Sequence, residues 1–143
     1  RFAGAPDGFY SFTGYPELLN EPIGTWDGER TTYTVRRHIV SFRVQKADDA
    51  AYDAVRCVPE QNFVGAFDHE ALVGDGELTV APGPHPRGVS GGAVFYLGTA
   101  DDIYNDRRNV KLAAIGTEYH HAEHLIVGAG AQSIRSALRA LLS

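Results

Sequence analysis

The sequence predicts an all-β fold, a six- to seven-stranded antiparallel Greek-key barrel with one C-terminal helix. Two observations predict it. The 16 glycines and 7 prolines are spread along all 143 residues and cut the chain into short runs rich in β-branched and aromatic residues. Only the last segment carries apolar residues at helical spacing.

The elements follow in order. Phe9 to Thr13 reads as a first strand, ended by Gly14-Tyr15-Pro16. Asp27-Gly28 is a turn. Thr31 to Gln45 alternates through Tyr33, Val35, Ile39, Phe42 and Val44, the pattern of a long strand or a hairpin with one buried face. Ala47 to Tyr52 is small and acidic, a loop or short helical turn. Asn62 to Phe67 is a strand, Asp75-Gly76 a turn, and Pro82 to Gly88 a rigid loop. Ala93 to Leu97 and Lys111 to Thr117 are strands flanking a polar loop, Thr99 to Asn109. Leu125 to Val127 is the last strand. Ala131 to Leu142 places Ile134, Ala137, Leu138, Leu141 and Leu142 on one helical face. Residues 1–143 read as a single domain, with no internal repeat and no linker.

Composition narrows the function. A hydrophobic fraction of 43% with 22% charged residues is that of a soluble globular domain. The net charge of −5 argues against a nucleic-acid partner. No apolar run approaches membrane-spanning length. Cys57 is the single cysteine, so no internal disulfide forms and a cytoplasmic, reducing setting is expected. The chain holds no methionine and begins at Arg1, so a preceding segment is expected.

Gly88-Val89-Ser90-Gly91-Gly92, followed by Ala93-Val94-Phe95-Tyr96-Leu97, carries the chemistry. A serine between glycines, just before a buried strand, can sit on a turn whose N–H groups point into one space beside the hydroxyl. Acyl transfer needs that combination of nucleophile and oxyanion hole. A plain glycine turn between strands is the alternative reading.

These residues resemble the C-terminal half of a trypsin-like (chymotrypsin-fold) serine peptidase of bacterial type. Phe12-Thr13-Gly14-Tyr15-Pro16 is similar to the segment that opens the second barrel. Gly88 to Phe95 is similar to the nucleophile motif, and Leu112-Ala113-Ala114-Ile115-Gly116 to the strand lining the primary substrate pocket. Leu125 to Val127 runs into a closing helix, as in that family. The resemblance implies that Ser90 is the nucleophile and that the N–H groups of Gly88 and Ser90 form the oxyanion hole. It implies a substrate pocket at His85, Ile115, Gly116 and Thr117, a peptide or protein substrate, and no cofactor or metal. It also implies that the catalytic His and Asp come from an N-terminal lobe or another chain. Val89 stands where many animal members have Asp, so activation by a freed N-terminus is not implied. The pocket floor would fall near Pro84-His85, which does not imply a preference for Lys or Arg; His85 points instead to an acidic side chain. A catalytically inactive peptide-binding or sensor module is the alternative function.

Other patterns are weaker. His38, Asp68 and Ser90 follow the family's triad order, but Asp68 lies too close to Ser90 in sequence for a barrel to intervene. Glu118 to His124 holds three histidines and two carboxylates, read as a polar hairpin tip that borders the cleft or, through His120, His121 and His124, binds a metal. Leu125 to Ser133 lacks the third glycine and downstream acid of a dinucleotide site. Gly88-x-Ser90-x-Gly92 fits a hydrolase elbow, but a strand pattern follows it instead of a helix.

Overall fold

The computed structural model describes residues 8–16, 19, 22–35, 38–68, 72–73, 80–81, 85–105 and 110–143. Strands β1 (Phe9–Gly14), β4 (Val40–Lys46), β5 (Asn62–Ala66), β8 (Ala93–Gly98), β9 (Lys111–His120) and β10 (Leu125–Gly130) close a barrel. The order around it is β1-β4-β5-β10-β9-β8, and all neighbours are antiparallel. The first three barrel strands form one meander and the last three another. The crossover from β5 to β8 returns the fourth strand to the side of the first, which is a Greek key. Two short ribbons stand apart from the barrel, β2 (Pro22–Trp26) with β3 (Thr31–Val35), and β6 (Leu72–Val73) with β7 (Val80–Ala81). Three helices complete the chain: α1 (Asp49–Ala54), α2 (Ala100–Tyr104) and α3 (Ala131–Leu142).

Two apolar clusters hold the barrel. Inside, Phe12, Phe42, Val44, Phe63, Phe67, Val89, Val94, Ala114 and Ile126 pack together. Outside, Tyr52 of α1 covers Val64, Leu125 and Val127. Alternation explains the division along β10: Ile126 points inward, and its neighbours Leu125 and Val127 meet α1. Strands β5 and β10 are thus covered on both faces, which accounts for their unbroken apolar runs.

Tyr52 also completes the polar side of this contact. Its hydroxyl accepts the Val64 N–H at 3.1 Å in a buried position. Tyr52→Phe leaves that N–H unpaired and should cost about 1–3 kcal/mol. Urea denaturation checks this; an unchanged midpoint would show that the hydroxyl contributes nothing.

Three details differ from the sequence expectation. Thr31 to Gln45 is neither one strand nor a hairpin. Its first part pairs with β2 and its second with β1, in separate sheets. Phe42 and Val44 are buried, whereas Tyr33 and Ile39 are exposed, because the β2–β3 ribbon stands off the barrel. Thr99 to Asn109 is not wholly a loop. Thr99 and Asp102 form a reciprocal capping box that starts α2. The third difference is the length of β9, which carries Glu118, Tyr119 and His120, so the hairpin tip is only residues 121–124. The expected turn at Asp75-Gly76, with Pro82, Gly83 and Pro84, lies outside the described residues.

The β2–β3 turn is held by Asp27, whose carboxylate accepts the N–H groups of Arg30 (2.9 Å) and Glu29 (3.0 Å). Those bonds lower its pKa. Among the described residues no helix is long and apolar enough to cross a membrane.

Candidate functional site

Ser90 lies where the crossover from β5 enters β8. Two consecutive β-turns present it. The first runs from Pro86 to Val89, closed by Val89 N–H to Pro86 C=O at 3.1 Å. The second runs from Val89 to Gly92, closed by Gly92 N–H to Val89 C=O at 2.8 Å. The third residue of each is a glycine with positive φ, Gly88 at +84° and Gly91 at +88°. A type II turn requires that conformation, which L side chains rarely adopt.

Val89, shared by both turns, anchors them. Its side chain is 1% exposed and lies in the barrel core. It occupies the space that a Cβ on Gly14 of β1 would need. Its neighbours Gly88 and Ser90 are exposed. Gly91 and Gly92 tie the second turn to β9: Gly91 N–H donates to Gly116 C=O and Gly116 N–H donates to Gly92 C=O, both at 2.8 Å.

The consequence is a division among five consecutive amides. The N–H groups of Val89, Gly91 and Gly92 are held by backbone carbonyls, while those of Gly88 and Ser90 have no backbone acceptor among the described residues. Gly88 and Ser90 line the same cleft, of about 140 Å³. Pro86 and Arg87 flank them on the crossover side. Gly116, Thr117, Glu118 and Tyr119 face them from β9, and Phe12 of β1 completes the lining.

Thr117 is set apart within β9. The β9–β10 register shifts between Val127 and Gly128, which leaves Thr117 as the extra residue of a bulge. Its hydroxyl donates to Val127 C=O at 3.3 Å, and its own C=O accepts the Ser90 hydroxyl at 3.0 Å. Among the described residues no imidazole or carboxylate is hydrogen-bonded to the Ser90 Oγ. Strand β8 pairs with β9 only from Lys111 to Ile115. The edge of β9 beyond Gly116 is therefore not covered by β8 on the side of Ser90.

The structure brings Ser90, Gly88, Gly116 and Thr117 to one cleft, but places His85 and Ile115 outside its lining. Ile115 sits in the sheet between Ala93 and Ala129. His85 adjoins the cleft through Tyr119, with ring centroids 5.9 Å apart. Its Nδ1 accepts the Arg87 N–H at 3.1 Å. Phe12 and Arg87 are lining residues that the sequence reading did not assign to the site, whereas Glu118 and Tyr119 belong to the segment it placed beside the cleft.

The histidines fall into two groups. His120 of β9 has its Nε2 3.1 Å from Glu118 Oε2. At the hairpin tip His121 stacks on His85 (centroids 5.8 Å apart, 21° between planes) and adjoins His124 at 6.1 Å. Asp68 Oδ1 is 3.5 Å from His124 Nδ1, so this aspartate faces a hairpin-tip histidine. Among the described residues no group of three or more His, Cys, Asp or Glu side chains is placed to hold a metal ion. Cys57 lies against the outer apolar cluster, and burial, aided by the Glu118 charge, pushes its thiol pKa up, which disfavours the reactive thiolate. Compared with known proteins, the chain matches no family model, no curated protein and no solved structure.

Proposed function

We propose that this domain carries the nucleophile and oxyanion hole of a serine endopeptidase. The division of the amides in the Ser90 turns carries the reading. Of the five amides from Gly88 to Gly92, those of Gly88 and Ser90 have no backbone acceptor among the described residues, and both residues line the cleft that also holds the Ser90 hydroxyl. Donors beside a nucleophile stabilise the oxyanion that forms when it attacks a carbonyl. The Greek-key barrel and the resemblance of the Ser90 segment to trypsin-like peptidases agree with this reading.

In the proposed reaction Ser90 Oγ bonds to the peptide carbonyl carbon. A histidine from an N-terminal lobe or another chain takes the hydroxyl proton, and a partner Asp orients it. The same histidine returns the proton to the departing amine as the C–N bond breaks. Water then hydrolyses the acyl ester by the reverse proton path. The part of the β9 edge that β8 does not pair offers backbone groups to an extended peptide beside Ser90. The single Cys57 fits a reducing, cytoplasmic setting.

Reaction with a fluorophosphonate probe, read by intact mass on this chain and on the longest natural form, tests the proposal. A single adduct is expected in the longest form, and none after Ser90→Ala. An adduct that survives the substitution, or no adduct in the natural form, overturns it.

One observation favours a second reading, a peptide-binding or sensor module without turnover. The Ser90 hydroxyl is bonded to the Thr117 carbonyl, which is not a base that activates it. Peptide binding without labelling of the natural form is the result that reading predicts.

A further inference from the structure

The Ser90 turns are tied to the β9 side of the cleft both before and after the serine. After it the tie is backbone: Gly91 N–H donates to Gly116 C=O, and Gly116 N–H donates to Gly92 C=O. Before it the tie runs through the side chain of His85. That ring stands edge-on to Tyr119, with centroids 5.9 Å apart and 87° between planes, and stacks on His121 at 5.8 Å. Its Nδ1 accepts the Arg87 N–H at 3.1 Å. Arg87 is the second residue of the turn from Pro86 to Val89, and Gly88, the third, lines the cleft with it. His85 thus joins the crossover wall of the cleft to the β9 wall.

The two ties differ in chemistry. A peptide N–H bonded to a peptide C=O does not titrate. An imidazole nitrogen accepts a hydrogen bond only while it carries no proton. Imidazole is also the side chain whose charge ordinarily changes between about pH 5 and 8. The bond from Arg87 is therefore present above the titration of His85 and lost below it. Charge acts on the ring stack as well, since two protonated imidazoles repel. Among the described residues, the titratable or charged groups around His85 are Tyr119, His121 and Arg87. His124 adjoins His121, and Asp68 Oδ1 is 3.5 Å from His124 Nδ1. Charges in this neighbourhood set the pH of the transition but not its direction, because a protonated Nδ1 is a donor and cannot accept the Arg87 N–H.

We infer that His85 is a positioning residue of the Ser90 site, and that its protonation releases the turn it holds. Neutral, it fastens the Arg87 amide and with it the turn that presents Gly88 and Ser90. Its bearing on catalysis rests on the proposed function; the movement of the turn does not.

The test follows the ¹⁵N-labelled chain by NMR from about pH 8 to pH 5. The Arg87, Gly88 and Ser90 amides should shift with the same midpoint as the ring ¹⁵N signals of His85, and the Gly91 and Gly116 amides should not. Protection of the Arg87 amide from solvent exchange, corrected for the intrinsic effect of pH, should fall about tenfold. Two variants separate the acceptor from the charge. His85→Asn keeps an oxygen that can accept the N–H two residues on and does not titrate, so protection should persist across the range. His85→Ala removes the acceptor, so protection should be low throughout. Arg87, Gly88 and Ser90 amides that stay fixed over this range overturn the inference, as does a His85→Asn chain that loses protection in acid. Either result leaves Ser90 to the fluorophosphonate probe. Amides that follow His85 in a protein whose natural form takes no adduct uphold the positioning and overturn the catalytic reading.

Discussion

Val89→Asp should destabilise the domain by about 4 kcal/mol or more, a large part of the roughly 5–15 kcal/mol that holds an ordinary domain folded. Val89 is 1% exposed, and its neighbours in the core are apolar. A carboxylate there loses its hydration and finds no cation to replace it. Val89→Ala separates charge from volume. It removes only methyl groups and should cost about 2 kcal/mol, in line with other large-to-small core substitutions. Urea midpoints of the two variants, followed by far-UV circular dichroism, measure the difference. Equal midpoints would mean that the side chain at this position is not enclosed.

Gly92→Ala should cost about 3 kcal/mol and displace Ser90, whereas Gly91→Ala should cost about 1–2 kcal/mol. The two adjacent glycines are needed for different reasons. A Cβ on Gly91 meets nothing within 4 Å, so only its φ of +88° opposes the change. A Cβ on Gly92 would lie 2.6 Å from the Thr13 carbonyl oxygen and 2.8 Å from that of Val89. Both are backbone atoms, and the second accepts the bond that closes the Ser90 turn. Relief requires either β1 or the turn to move. Thermal denaturation gives the stability difference, and the amide shifts of Ser90 and Thr117 report the displacement. A Gly92→Ala variant as stable as Gly91→Ala would contradict this account.

The two positions also indicate what could be read from the sequence. Gly88, Gly91 and Gly92 around one serine, followed by an apolar run, are a local pattern, and local geometry fixes the turns they form. Helix α3 was legible for the same reason, since one stretch carries the helical spacing. The strands at Thr31 to Gln45 were not. Tyr33 and Phe42 are both aromatic residues in alternating runs, yet one is solvent-exposed and the other is in the core. The choice of pairing partner decides between them, and that partner is distant in sequence. The cleft residue Phe12 was missed because it reaches Ser90 only after the barrel closes. Helix α2 had a signal in the spacing of Thr99 and Asp102, masked by the polar composition around it.

The placement of Val89 has a consequence for folding order. The Ser90 turn is locked by contacts to Gly14, near one end of the chain, and to Gly116, near the other. The first contact needs β1 beside the turn and the second needs β9, so both are in place only when the two strands flank β8, and contacts between distant segments carry a loop-closure cost. A partly folded chain thus holds Ser90 on an unfixed loop with its neighbouring amides unaligned. Under the proposed function, reactivity of this serine appears only with completion of the barrel, so that an emerging or damaged chain does not expose the proposed nucleophile.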